Sequence, residues 1–370
     1  MIKIGIDARL YSQTGVGTYL RNYIFELSRI IPPDYLLYLY VLPEDKKKIQ
    51  NQSDKVVVRE APYKWHTLSE QTCFFHIVSK DNLDLMHFTY FGYPVLYKRT
   101  FVATIHDLTP LLYRTGKAST KSRIQYAFKH AVFKYIFRSQ VTRASAIITP
   151  TKTVKKQLIS YFGKAVEKKT HPLYEGVGYE LKQASESKHL RRVYDKPFFL
   201  YIGNCYPHKN LERLIYAFAG IKRRQNLILV GPNDFFTQKL KKLSETLHLE
   251  QNILFYHDPT FNDLVFFYNR ARALIHPSLS EGFGLPLIEA AYFRLPIIAS
   301  SIPVIQEVLG DDYTMFDPYN INDIRKKIQT FIENPTKFQH DGLEQTFSFK
   351  SMSQNTLSIY KQVLKQRYDV

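Results

Sequence analysis

Continuous apolar runs of strand length recur along the chain, and between them lie longer stretches in which apolar residues return every three or four positions. "IKIGI", "LLYLYVL", "KVVVR", "DLMHF", "FVATI" and "AIITP" are runs of the first kind, the pattern of strands covered on both faces. Segments such as "GTYLRNYIFELSRI" and "TKTVKKQLISYF" carry the helical spacing. Alternation of the two predicts a parallel sheet with helices on both sides. After the polar, weakly patterned "HPLYEGVGYELKQASESKHLRRVYDKP" the alternation begins again, with strands at "FFLYIG", "NLILVG", "NILFY", "ALIHP" and "PIIAS". The pattern therefore predicts two doubly wound α/β domains with a boundary between residues 172 and 196. A last helical stretch, "SMSQNTLSIYKQVLKQR", comes too late to belong to the second sheet.

Composition narrows the class. A chain of 370 residues with 45% hydrophobic content can bury two separate cores. No apolar run approaches the roughly 18 residues that would span a bilayer, and "MIKIGIDARL" reads as a strand rather than as a signal peptide. Cys73 and Cys205 are too few for a disulfide framework and too isolated for a metal site, which fits a reducing cytoplasm. The net charge of +18 is unevenly spread: between Asp107 and Glu167 there is no acidic residue, while Arg114, Lys117, Lys121, Arg123, Lys129, Lys134 and Arg138 all fall there. In "RIQYAFKHAVFKYIFR", Ile124, Phe128, Ala131, Tyr135 and Arg138 follow helical spacing. One reading is a core helix with a solvated basic side; the others are contact with an anionic membrane surface or with nucleic acid.

Open parallel sheets bind ligands beyond the carboxyl ends of their strands, so the loops after strands hold the candidate chemistry. In "DARLYSQTGVGTYL", Gly15 and Gly17 precede a helix whose free N–H groups suit an anion, although two glycines also suit a plain tight turn. The chain lacks the three-glycine dinucleotide fingerprint and the Walker lysine pattern. In the second domain "SEGFGLPLIEA" follows the strand "ALIHP" and places Glu281 in a loop and Glu289 one turn into a helix. The amides of Gly282, Phe283, Gly284 and Leu285 at that helix start suit a diphosphate, and the flanking carboxylates, which only accept hydrogen bonds, suit hydroxyl-rich groups. A nucleotide diphosphate sugar has both. The plain alternative is a capping glutamate followed by an exposed helical one.

"PSLSEGFGLPLIEA" resembles the glutamate-seven-residues-glutamate signature of family-4 retaining glycosyltransferases of the GT-B fold. The resemblance extends through "GIDARLYSQTGVGTYL", "TIHDLTPL", "YIGNCYPHKNLERLIYAF" and "FDP", and so covers nearly the whole chain. It implies an α/β protein with two Rossmann-like domains facing across a cleft: 1–175 on the acceptor side, 176–350 for the nucleotide sugar, and a helix at 351–370 crossing back onto the first domain. By the same resemblance, Glu281 binds hydroxyls of the donor sugar and Glu289 the ribose. Lys209 neutralises the donor diphosphate, and His106 lies near the anomeric carbon. Asp107 is read as a local cap. Where the family commonly has an arginine beside that lysine, this chain has Asn204 and His208, and a protonated His208 or the Gly15–Thr18 loop is the candidate replacement.

Metal independence is expected, because there is no Asp-x-Asp segment; no cofactor is implied beyond the donor substrate. No carboxylate can be assigned as a nucleophile behind the sugar, so the resemblance implies front-face attack. Segment order and spacing most resemble bacterial α-mannosyltransferases of polysaccharide or glycolipid assembly, so GDP-mannose is the leading donor. UDP-sugars and TDP-rhamnose are the alternatives, followed by an epimerase or phosphorylase of the same fold. The basic window then points to a lipid-linked saccharide acceptor and a peripheral place on the inner face of the plasma membrane. The competing class, a nucleic-acid-binding protein, explains the charge but not the carboxylate–glycine segment.

Overall fold

The structure is a computed structural model that describes residues 1–49, 53–112, 123–194, 196–222, 225–335 and 342–368. The chain divides into two compact units, Met1–Glu175 together with Ser348–Val370, and Gly176–Phe347.

The first unit is built on a seven-stranded parallel sheet in the order β3-β2-β1-β4-β5-β6-β7. Its strands are β1 (Ile2–Asp7), β2 (Tyr35–Val41), β3 (Val56–Glu60), β4 (Leu85–Phe88), β5 (Phe101–Thr104), β6 (Ala146–Thr149) and β7 (Thr170–Pro172). The central strands are buried on both faces, Ile4, Ile6, Met86 and Val102 being fully inaccessible, which is why they read as unbroken apolar runs. The helix Val16–Ile30 follows β1, and Gly17 is required at its start: a Cβ there would lie 2.7 Å from the Tyr11 carbonyl oxygen.

The second unit has a six-stranded parallel sheet in the order β10-β9-β8-β11-β12-β13. Its strands are β8 (Phe198–Ile202), β9 (Asn226–Val230), β10 (Ile253–Tyr256), β11 (Leu274–His276), β12 (Ile297–Ser300) and β13 (Thr314–Phe316). Neither β7 nor β13 stands out in the sequence, because each is an edge strand of three residues, too short to show a period.

The last helix, Phe349–Tyr368, belongs to the first unit and packs beside Val16–Ile30. Its Tyr360 is fully buried, with the Tyr360 hydroxyl bonded to that of Tyr23 and 2.6 Å from His87 Nδ1. His87 bonds Thr104 Oγ1 through its other nitrogen at 2.7 Å. Burial, aided by the charge of His106, pushes His87 down to about 3, so it holds this join as a neutral ring.

The helix Arg123–Arg143 corrects the core reading of its apolar stripe. Its buried side is formed by Phe137, Gln140 and Val141, whereas Phe128 and Tyr135 are 70% and 65% exposed and Ala131 is exposed as well. Lys129, Lys134 and Arg138 share the exposed side. Arg114, Lys117 and Lys121 lie outside the described residues.

Candidate active site

In each sheet the chain winds outward in opposite directions from one pair of adjacent strands, and the crevice at that reversal is where open α/β sheets hold ligands. In the second unit the pair is β8 and β11. The loops after these strands carry Asn204 to Asn210 on one side and Pro277 to Gly284 on the other.

Backbone and side chain bonds fasten the two loops together. Leu279 N–H donates to the His208 carbonyl at 2.7 Å. Asn210, in the left-handed region at φ 62°, donates from Nδ2 to the Pro277 carbonyl at 3.0 Å and the Pro318 carbonyl at 2.8 Å. One amide thus joins three of the quoted segments: "PHKN", "PSLSEGFG" and "FDP".

This clamp brings Lys209 onto Glu281. Lys209 Nζ donates to both carboxylate oxygens, at 2.7 and 2.9 Å. His276, at the end of β11 and 1% exposed, lies with Nε2 2.6 Å from Glu281 Oε1; an ionised carboxylate only accepts, so Nε2 carries the proton. Burial works against a charged Glu281, but the charges of Lys209 and His276 and the hydrogen bonds from both outweigh it. They hold the carboxyl well below its usual range. Neither partner of this cluster other than Glu281 is approached by a second carboxylate among the ion pairs of the described residues.

Glu289 has the opposite environment. The helix Leu285–Tyr292 starts after Gly284, which caps it at φ 90° without a side-chain cap bond; a residue with a Cβ would be strained there. Glu289 is turned inward and 9% exposed, taking a hydrogen bond of 2.6 Å from the Tyr268 hydroxyl to Oε2. Burial raises its pKa, the Tyr268 bond offsetting only part of this. The plain reading of a capping and an exposed glutamate is therefore wrong on both counts: both side chains are buried and each has a specific partner. Phe283 is buried edge-on against Phe347 at 5.6 Å. Gly282 and Leu285 lie beside it, half-buried.

His208 does not supply a second positive charge. Burial, then the Lys209 charge, pushes it down to about 4 against a smaller opposing effect of Glu281, so it is neutral near pH 7, and its Nδ1 is buried without a hydrogen-bond partner. Asn204 forms a local turn, accepting from Tyr206 N–H at 3.4 Å on Oδ1 and from the Tyr201 hydroxyl at 2.6 Å on its carbonyl.

The remaining predicted residues lie in the first unit. Gly15 and Gly17 sit at the start of the helix after β1. His106 lies just beyond β5: its Nε2 is 3.0 Å from the Thr89 carbonyl, its Nδ1 is 3.6 Å from Glu175 Oε1, and the Tyr19 ring meets it edge-on at 4.7 Å. Asp107 accepts from Thr109 N–H at 2.6 Å, as a local cap does. Among the described residues no three His, Cys, Asp or Glu side chains are grouped to hold a metal ion.

Sequence reasoning missed His276, Tyr268, Asn210 and Glu175. His276 was the most accessible of these: a polar residue ending an otherwise apolar strand, five positions before Glu281. Tyr268 and Glu175 carry no signal of their own, since each meets its partner only through the tertiary fold.

Residues 182–346 match the family described as Glycosyl transferases group 1. The chain is 29% identical over 276 residues to the O-antigen chain mannosyltransferase RfbU of Salmonella typhimurium, covering 75% of this chain and 71% of that protein. It is also 29% identical over 243 residues to the serotype-specific mannosyltransferase WbdA of Escherichia coli, which is 62% of this chain but 28% of WbdA. Among solved structures, sucrose-phosphate synthase of Thermosynechococcus elongatus superposes with a TM-score of 0.77 at 16% identity over 99% of this chain and all of that one, a likeness of fold alone. Residues 182–346 are thus a group 1 glycosyl transferase domain, in a chain that has the GT-B fold.

Proposed function

We propose that this glycosyltransferase moves a mannosyl group from a nucleotide diphosphate sugar, GDP-mannose first among the candidates, to a saccharide acceptor during assembly of a cell-surface polysaccharide, with retention of configuration. The observation that carries the reading is the Lys209–Glu281–His276 cluster at the crevice. An ammonium held by a single carboxylate partner can turn toward an arriving diphosphate, and Glu281, freed by that movement, accepts from sugar hydroxyls. Glu289 takes the ribose hydroxyls, the amides of Gly282 to Leu285 take phosphate oxygens, and His106 acts beside the transferred sugar. Lysine and backbone dipoles do the work of a metal ion on the leaving diphosphate. The mannosyltransferase names of RfbU and WbdA favour mannose over the alternatives, a UDP-sugar or TDP-rhamnose.

Titration calorimetry with GDP-mannose, UDP-glucose and TDP-rhamnose, followed by transfer of labelled sugar with and without excess EDTA, tests this. The expected result is saturable binding of GDP-mannose and EDTA-resistant transfer. Tight binding of another donor overturns the mannosyl assignment, and activity restored only by manganese overturns the metal-free one.

A second reading concerns place. The helix Arg123–Arg143 exposes Phe128, Val132 and Tyr135 beside Lys129, Lys134 and Arg138, the composition of a helix lying on an anionic bilayer, while no described helix is long and apolar enough to cross one. A peripheral position there would bring a lipid-linked acceptor within reach. Phe128→Ser with Tyr135→Ser is expected to reduce sedimentation with phosphatidylglycerol vesicles, and unchanged sedimentation would remove the reading.

A further inference from the structure

The loops that follow β4, β5 and β7 meet around His106, and the last of them brings a carboxylate that the proposed function does not use. Glu175 is 5% exposed, and its Oε1 lies 3.6 Å from His106 Nδ1. On the other side of the ring the Thr89 carbonyl is 3.0 Å from Nε2. Tyr19, from the helix Val16–Ile30, meets the ring edge-on at 4.7 Å, and Tyr90 tilts against it at 6.5 Å.

Counting protons shows that one is needed between the two side chains. A backbone carbonyl only accepts, so Nε2 carries a proton. A neutral imidazole has no second one, and Nδ1 would then be a bare lone pair facing a carboxylate that, when ionised, also only accepts. Two acceptors turned toward each other repel, and burial limits the water that could separate them. One proton between Nδ1 and Oε1 turns this repulsion into attraction. The separation is longer than a formed hydrogen bond, as is common where a contact at an active site tightens only when substrate arrives.

No neighbour supplies that proton's charge in another way. Among the described residues neither His106 nor Glu175 has a second ion pair. Burial raises the pKa of the Tyr19 hydroxyl, and the Glu175 charge adds to this against a smaller effect of the Thr104 bond, so Tyr19 stays neutral. His87 is the neutral ring of the join with Tyr360, and Asp107 accepts from Thr109 N–H.

We propose that Glu175 is a positioning residue for His106: the two share one proton across Nδ1 and Oε1, which fixes the ring against Thr89 and makes it one half of a pair without net charge. Such a pair adds no positive charge beside a sugar centre that itself becomes positive during transfer. The proposal rests on the reading that His106 acts beside the transferred sugar, and adds the group that sets its proton.

The shared proton is read first in the wild-type protein, by NMR with the histidine ring nitrogens isotope-labelled and the His106 signals identified by their loss in His106→Gln. Near pH 7 the expected Nδ1 signal is that of a protonated or strongly hydrogen-bonded nitrogen, moving to the position of a bare one in Glu175→Gln, which keeps the shape and loses the charge. A bare Nδ1 in wild type overturns the proposal. Hydrolysis of whichever donor wild type binds, GDP-mannose first, needs no acceptor. Glu175→Gln is expected to lower its kcat about tenfold or more, with the calorimetric Kd for that donor within about threefold of wild type. In a His106→Gln background the same substitution is expected to change kcat by less than about twofold, because a residue that acts only through His106 has nothing left to act on. An unchanged kcat for Glu175→Gln alone, or an equal further fall in the His106→Gln background, sinks the positioning role and leaves the transferase reading standing. Failure of wild type to bind any of GDP-mannose, UDP-glucose and TDP-rhamnose strikes the transferase reading itself, while the NMR signal still decides whether the proton is shared.

Discussion

The two sheets reverse direction at equivalent places, and both crevices are furnished with buried opposite charges, yet the two clusters are built differently. At the first sheet the cation is Arg9, whose side chain is 2% exposed, forked between Asp7 and Glu70 and stacked on Phe74. At the second the cation is Lys209, 15% exposed, with two contacts to Glu281 alone. A guanidinium held at four points in a fixed plane is a structural part; an ammonium is a compact charge on a flexible stem with a third donor to spare. The comparison separates a closed ion cluster, whose cation has committed all but one of its donors, from an open one, whose cation is held by a single carboxylate.

Removing each cation puts this contrast under the greatest strain. Arg9→Ala leaves two buried carboxylates without their partner, and breaking a buried pair from one side costs about 3–5 kcal/mol. The expected outcome is a large loss in chemical denaturation, read from the midpoint at unchanged slope. If Arg9→Ala unfolds at nearly the wild-type midpoint, the first cluster is not closed. Lys209→Ala is expected to cost about 2–4 kcal/mol in kcat/KM, the worth of one electrostatic donor to a leaving group, with a smaller change in the folding midpoint because Lys209 is partly solvated. A Lys209→Ala enzyme that transfers sugar at the wild-type rate would show that the second cluster is also merely structural.

The two glutamates of the second unit sharpen the contrast through pH. Glu289 has a raised pKa, so its folded state binds a proton more tightly than the unfolded chain. Its contribution is favourable below the unfolded value near 4.3 and is lost as pH rises through the folded value. Glu289→Gln keeps the shape and removes the charge. It is expected to match wild type in thermal unfolding near pH 4 and to exceed it near pH 7, where wild type must bury the charge, while nucleotide binding weakens in calorimetry. Glu281 runs the other way: its depressed pKa gives stability that is present above the unfolded value and lost only as pH falls through the folded one. A Glu289→Gln protein less stable than wild type at pH 7 would contradict the assigned environment.

The smallest effect is expected at His208. With its pKa lowered to about 4, the neutral ring contributes stability that is full above the ordinary histidine value near 6.5 and declines as pH falls toward 4. His208→Gln is expected to flatten that acid decline in melting curves and to change donor affinity at pH 7.5 by less than about threefold, since no cation is removed. A much larger loss of affinity at that pH would restore the charged role that burial denies it.

Much of this was legible in the chain. Strand and helix order follow from apolar periodicity, because a strand covered on both faces must be apolar throughout and a helix on a sheet needs only one apolar side. The Glu281–Glu289 segment was readable as a loop entering a helix, because Gly284 and Pro286 fix that turn by their own backbone limits. The same periodicity misled at Phe128 and Tyr135: spacing identifies residues that share a side of a helix, but not whether that side meets the core. The helix Arg123–Arg143 buries the neighbouring side instead, through Phe137 and Val141.

What the sequence determined by itself is local: element type, the glycine turns and the identity of Lys209, Glu281, Glu289 and His106 as groups with chemistry to offer. Only the tertiary structure decided their states. Lys209 and Glu281 are 72 positions apart, Arg9 and Glu70 are 61 apart, and His87 meets Tyr360 across 273. Ionisation inside a protein is set by burial and by charges within a few ångströms, which chain order does not report. So the sequence names the carboxylates, and folding makes one of them a buried anion and raises the pKa of the other.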